Sequence, residues 1–260
     1  MPSPTTSTIL VAGKKTQVTT GGDGPPLLYL HSAGGETDWT KFHDLLAAKF
    51  KVIVPAHPGF ASSAGLESIR DVADYAWHYV DFLKVMNLSR VPVIGFSLGA
   101  WTAVELAILR PALVEKMILV NAAGLHVPGS PMGELFTDDL TYLRNLLFFD
   151  PNSPVVKEAM PLSLDDSRIL QWLKAREATA RVGWNPYLHN PRLRAHLSRV
   201  ECPTQVVWGR HDKLIPLAHG ETYSSEIPGA QLTILEQCGH MLPFEKPEEL
   251  ARITTEFFSS

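Results

Sequence analysis

Val91-Pro92-Val93-Ile94-Gly95-Phe96-Ser97-Leu98-Gly99-Ala100-Trp101-Thr102-Ala103-Val104 changes its periodicity around a single serine. It begins as a short, β-branched apolar run, the pattern of a strand buried on both faces. It continues with Ala100, Ala103, Val104 and Ala107 on one helical face, a helix that must stop before Pro111. A strand that turns into a helix this sharply leaves room only for small residues at Gly95 and Gly99, and it lifts Ser97 out of the sheet. The hydroxyl then lies at a helix N-terminus, where free N–H groups stabilise negative charge. Ser97 is therefore the expected nucleophile.

Similar short apolar runs flank this turn. Pro26–Leu30, Lys51–Val54, Lys116–Val120, Thr204–Trp208 and Gln231–Leu235 all read as buried parallel strands. The more polar stretch Ser7–Thr20 reads as an antiparallel edge hairpin. Ile69, Val72, Ala73, Ala76, Val80 and Leu83 recur at helical spacing behind Ser68 and Asp71, which stand in capping-box positions. Strands alternating with helices predict an α/β fold, a doubly wound, mostly parallel eight-stranded sheet. Between 126 and 197 no strand pattern occurs. Helical patterns at Leu135–Phe149 and Ser167–Arg181, broken by prolines and aromatics, predict an inserted helical cap. Residues 1–125 and 198–260 then form the core domain.

A serine hydroxyl needs a base. Among ten histidines, His240 in Cys238-Gly239-His240-Met241 follows the last strand, at the edge where a parallel sheet gathers its ligand-contacting loops. The imidazole in turn needs an acid to fix its tautomer. Asp212, in Trp208-Gly209-Arg210-His211-Asp212-Lys213, follows the penultimate strand and lies at the same edge. Its competing reading is a surface ion pair with Arg210 or Lys213. The position after the preceding strand, another place for an acid, holds Asn121. The glycine-rich turn His31-Ser32-Ala33-Gly34-Gly35 follows the strand ending at Leu30, and the Ala33 and Leu98 N–H groups are expected to form an oxyanion hole.

The order Ser97, Asp212, His240, with His31-Ser32-Ala33-Gly34 upstream, resembles the α/β-hydrolase superfamily from about Leu27 to Phe258. Gly239-His240 followed by Pro243, Glu245 and Pro247-Glu248-Glu249 is similar to that family's last-strand histidine loop, and Pro58-Gly59-Phe60 is likewise shared. The chain departs from the pattern where Ser32 replaces a common Gly, where Ala56 and Ala61 replace Asp and Gly, and where Ala100 replaces a second Gly. The resemblance implies a serine hydrolase acting through an acyl-enzyme. Aromatics of the 126–197 segment (Phe136, Tyr142, Phe148, Phe149, Trp172, Trp184 and Tyr187) are divided between that segment's own core and an apolar pocket. Ser32, Phe148, Trp172 and Met241 are the expected substrate contacts, and the expected substrate is a small-molecule ester with a small to medium apolar or aryl group. Carbon–carbon bond hydrolases of vinylogous diketones share the triad and cap. They rank lower because Met241 stands where that subfamily typically has Trp. A lactonase and a non-catalytic ligand receptor on the same fold remain as alternatives.

Composition agrees with a globular enzyme. The 260 residues are 45% hydrophobic and 19% charged, with a net charge of −4, so no global field attracts nucleic acid or anionic membrane. Two cysteines, Cys202 and Cys238, form neither a disulfide framework nor a C-x-x-C pair. Metal-ligand spacings, P-loops and G-x-G-x-x-G runs are missing, so neither cofactor nor metal is expected. No signal-peptide or membrane-span pattern is present, which makes the cytoplasm the expected location. The oligomeric state is left open.

Overall fold

The computed structural model describes residues 3–259. Its strands are β1 (Thr5–Val11), β2 (Lys14–Gly21), β3 (Pro26–Leu30), β4 (Lys51–Pro55), β5 (Val91–Phe96), β6 (Val114–Val120), β7 (Thr204–Gly209) and β8 (Gln231–Leu235). They form one sheet in the order β1-β2-β4-β3-β5-β6-β7-β8. β1 pairs antiparallel with β2 and β2 with β4, while every neighbouring pair from β4 to β8 is parallel. The expected eight-stranded, mostly parallel sheet is present. β3, β5, β6 and β7 are almost wholly buried, as their continuous apolar runs require, whereas β1 is an exposed edge.

The helices are α1 (Lys41–Ala47), α2 (Val72–Val85), α3 (Leu98–Leu109), α4 (Leu140–Leu147), α5 (Val156–Ala159), α6 (Ile169–Gly183), α7 (Leu217–Glu226), α8 (Leu242–Glu245) and α9 (Pro247–Ser259). α1 packs on α9, and α2 on α3. The Ser68–Asp71 capping box does not form. Asp71 alone caps α2, accepting the Asp74 N–H at 3.1 Å, while the Ser68 hydroxyl donates back to Gly65 O at 2.7 Å and closes a short 3-10 turn. Ile69 consequently precedes the helix. Likewise α4 starts at Leu140 rather than Leu135, because Asp139 Oδ1 accepts the N–H groups of Thr141 and Tyr142. Between β6 and β7 the described residues carry α4, α5, α6 and a 3-10 helix (Arg194–Arg199), with a single isolated bridge from Gly124 to His189.

The topology sets where a ligand can bind. β3 lies between β4 and β5, so the connections leaving β3 and β5 diverge to opposite sides. Parallel sheets open a crevice at such a point, beyond the carboxyl ends of the strands. Leu30 pairs in register with Gly95, which sets the His31 turn directly beside Ser97. Among the described residues no helix is long and apolar enough to cross a membrane.

Candidate active site

Ser97 links β5 to α3 with φ 54° and ψ −110°, a left-handed backbone that few side chains adopt. Its N–H donates to Val120 O at 2.9 Å, fastening the turn to the end of β6. The flanking glycines are required by close approach. A Cβ on Gly95 would lie 2.5 Å from Ala100 Cα, and one on Gly99 would lie 2.0 Å from Leu30 O. The helix start is thus pressed onto the strand that leads into the His31 turn.

Ser97, His240 and Asp212 are brought together. All three are buried. The Ser97 hydroxyl donates to His240 Nε2 at 3.0 Å, and His240 Nδ1–H donates to Asp212 Oδ2 at 2.7 Å. Asp212 Oδ1 meanwhile accepts the N–H groups of Leu214 (2.9 Å) and Ile215 (2.8 Å), so both carboxylate oxygens are fixed. The competing surface-pair reading fails, since Arg210 pairs with Glu236 at 2.7 Å and Lys213 donates to Asn145 O. This line can carry a proton from hydroxyl to imidazole, with a carboxylate beside the positive charge that results.

The neighbouring turn is braced from below. His31 Nδ1–H donates to Ser32 O at 2.8 Å, and His31 Nε2 accepts the His57 N–H at 3.0 Å. His57 Nε2–H donates to His31 O at 2.9 Å and Nδ1 accepts the Tyr79 hydroxyl at 2.5 Å. Each ring uses one nitrogen as donor and one as acceptor, which only a neutral imidazole can do. Burial agrees, pushing His31 down to about 4 and His57 well below the usual histidine range. Ala33 lines the cavity beside Ser97. Leu98 opens α3, where the first N–H groups have no partner within the helix.

Over Ser97 and His240 lies a narrow, partly open cavity with room for about 40 Å³ of solvent. Ser32, Phe148, Trp172 and Met241, singled out from sequence, all line it. Of the seven aromatics in the 126–197 segment, Phe136, Phe148 and Trp172 face it, whereas Tyr142, Phe149 and Trp184 are exposed. Tyr187 instead ties the segment together, donating to Gly133 O and accepting the Leu135 N–H, both at 2.6 Å. Two charged lining residues escaped the sequence reading. Arg176 lies 4.4 Å over the Trp172 ring and donates to Thr137 O at 2.7 Å. Glu36 accepts the Ser32 hydroxyl, and burial raises its carboxyl above the usual range. Arg176 sits at helical spacing from Trp172, a signal that was available. Glu36 carried none beyond its place after the glycine turn.

The model of the alpha/beta hydrolase family matches residues 23–253. The chain belongs to the alpha/beta hydrolase family. Within it, the chain is 29% identical over 283 residues to an uncharacterised protein of Mycobacterium tuberculosis, covering 99% of this chain and 82% of that one. It is 27% identical over 256 residues to the 2-hydroxy-6-oxononadienedioate/2-hydroxy-6-oxononatrienedioate hydrolase 2 of Pseudomonas putida, covering 91% of this chain and 88% of the relative. The solved structure of the 2-hydroxy-6-oxo-6-phenylhexa-2,4-dienoate hydrolase of Rhodococcus sp. strain RHA1 has the same alpha/beta hydrolase fold. It superposes with a TM-score of 0.81 at 21% identity, covering 99% of each chain.

Proposed function

We propose that this hydrolase cleaves carboxylic esters bearing small to medium apolar or aryl groups, through an acyl-enzyme on Ser97. The reading is carried by the Ser97–His240–Asp212 hydrogen-bonded line opening into a cavity walled by Phe136, Phe148, Trp172 and Met241. Ser97 Oγ attacks the ester carbonyl as His240 Nε2 takes its proton, and Asp212 steadies the imidazolium. The Ala33 and Leu98 N–H groups receive the developing oxyanion. The tetrahedral adduct collapses, His240 protonates the departing alcohol, and water then repeats the sequence on the acyl-enzyme. The 126–197 segment acts as a cap that supplies the apolar wall and excludes water.

A second reading is hydrolysis of a carbon–carbon bond in a vinylogous diketone. One observation favours it. The names of the Pseudomonas and Rhodococcus proteins describe unsaturated dioate and dienoate substrates, which carry at least one carboxylate, and Arg176 puts a guanidinium on this cavity wall. Guanidinium is the side chain best shaped to hold a carboxylate.

Aryl and alkyl esters, lactones and vinylogous diketones assayed in parallel separate the readings. Ester turnover is expected, with efficiency rising by up to about 0.8 kcal/mol per newly buried methylene until the cavity fills. Turnover confined to the diketones transfers the assignment to the second reading. Binding without turnover across the whole panel contradicts both and indicates a receptor.

A further inference from the structure

Asn121 stands at the end of β6, and its side chain is spent entirely on holding other parts of the site. It is fully buried, with φ 43° in the left-handed region. Its backbone N–H donates to Val207 O on β7 at 3.1 Å. Its Oδ1 accepts the Gly209 N–H at 2.9 Å. Its two Nδ2 hydrogens go to consecutive carbonyls of the histidine loop, Gly239 O at 3.1 Å and His240 O at 2.7 Å. An asparagine amide has two hydrogens to give, and both are used.

The loop's N–H groups are held from elsewhere. Leu147 O, at the end of α4, accepts from His240 (2.7 Å) and Met241 (3.2 Å), and Glu245 Oε1 accepts from Gly239 (3.0 Å). Leu147 belongs to the segment inserted between β6 and β7. Asn121 grips the same loop from the sheet, reaching across the end of β7 to do so. It also adjoins Val120, whose carbonyl takes the Ser97 N–H at 2.9 Å. Two successive residues at one strand end therefore hold both sides of the Ser97–His240 contact.

We propose that Asn121 is a positioning residue that sets the distance and angle between His240 and Ser97. The proposal rests on the roles given above to those two residues. An error of about 1 Å in such a geometry costs on the order of 100-fold in rate. The amide suits the task because it gives two hydrogens and takes one without adding charge. An aspartate there would direct negative charge at two carbonyls.

Four measurements test this. In wild-type protein labelled with 15N-asparagine, the Asn121 side-chain hydrogens should exchange slowly with solvent, and free-amide exchange rates would overturn the clamp without any variant. Asn121→Gly suits the left-handed backbone but removes every side-chain bond. Asn121→Asp keeps the acceptor for Gly209 and removes only the donors to the histidine loop. Both variants should react with a small aryl phosphonate about 100-fold more slowly, with the KM for an aryl ester held within about threefold. Both should also shift or broaden the downfield proton resonance of His240 Nδ1–H. Wild-type labelling rates with an unmoved resonance in either folded variant overturn the positioning role, and if neither variant folds the exchange measurement alone decides. Failure of the ester reading is distinguishable, because the exchange and resonance measurements need no substrate.

Discussion

Ser32 donates its hydroxyl hydrogen to Glu36 across 2.6 Å, and the same oxygen accepts the Gly34 N–H at 3.0 Å. The Ser32 hydroxyl thus bridges the His31–Gly35 turn to a carboxyl on the cavity wall. Ser32→Ala removes the bridge and should lower kcat on aryl esters by about tenfold, the equivalent of one good hydrogen bond to a charged or strongly polar group. Glu36→Gln keeps an acceptor for Ser32 and should stay within about threefold of wild type. Steady-state kinetics check this pair, and a Glu36→Gln loss as large as that of Ser32→Ala would show that charge, not the bridge, is what matters.

Asp212 offers a sharper contrast. Asp212→Asn puts an amide opposite His240 Nδ1, either favouring the wrong tautomer or leaving that nitrogen without its acceptor. Turnover should fall by about two to four orders of magnitude with folding retained. Arg210→Ala and Lys213→Ala serve as controls, since their partners are Glu236 and Asn145 O rather than Asp212. Both should keep near-normal kcat. Damage from either control comparable to Asp212→Asn would mean that the acid has been misassigned.

The convergence of Ser97, Asp212 and His240 was legible in sequence because each sits just past an apolar run, and parallel strands bring their ends to one edge. β3 and β8 coincide with the runs Pro26–Leu30 and Gln231–Leu235. Helix starts were harder to read, since Leu135 continues an apolar period but Asp139 supplies the cap. In sequence, Asn121 reads only as an amide at a position open to an acid. Its role depends on residues 88 and 119 positions away, a relationship that no local pattern encodes. Glu36 likewise has no local pattern that marks it, since its place on the cavity wall rests on its bond to Ser32, whereas Arg176 follows Trp172 at helical spacing.

Buried histidines set the response to acid. Burial holds His31 and His78 at about 4 and His43 at about 3. An imidazole in the unfolded chain titrates near ~6.5, so between about pH 6.5 and 4 the unfolded chain binds protons that the folded chain refuses. Stability is therefore complete above that window and is lost as pH falls through it. Glu36 and Glu245, raised by burial, act in the opposite sense but are outnumbered by the histidines. His78 lies on α2, away from the site, and His78→Gln should flatten the pH dependence by up to about 1.4 kcal/mol per pH unit. Urea unfolding at pH 5, 6 and 7 measures both slopes, and equal slopes would contradict the assignment.

Ser97 is expected to form a covalent bond during turnover, and intact-protein mass spectrometry after treatment with an aryl phosphonate reads that bond out. One adduct per chain is expected, located on Ser97 by peptide mapping and missing from Ser97→Ala. Ser97→Ala should also lower kcat by roughly four to six orders of magnitude. An adduct on any other serine, or near-normal turnover by Ser97→Ala, would contradict Ser97 as the nucleophile.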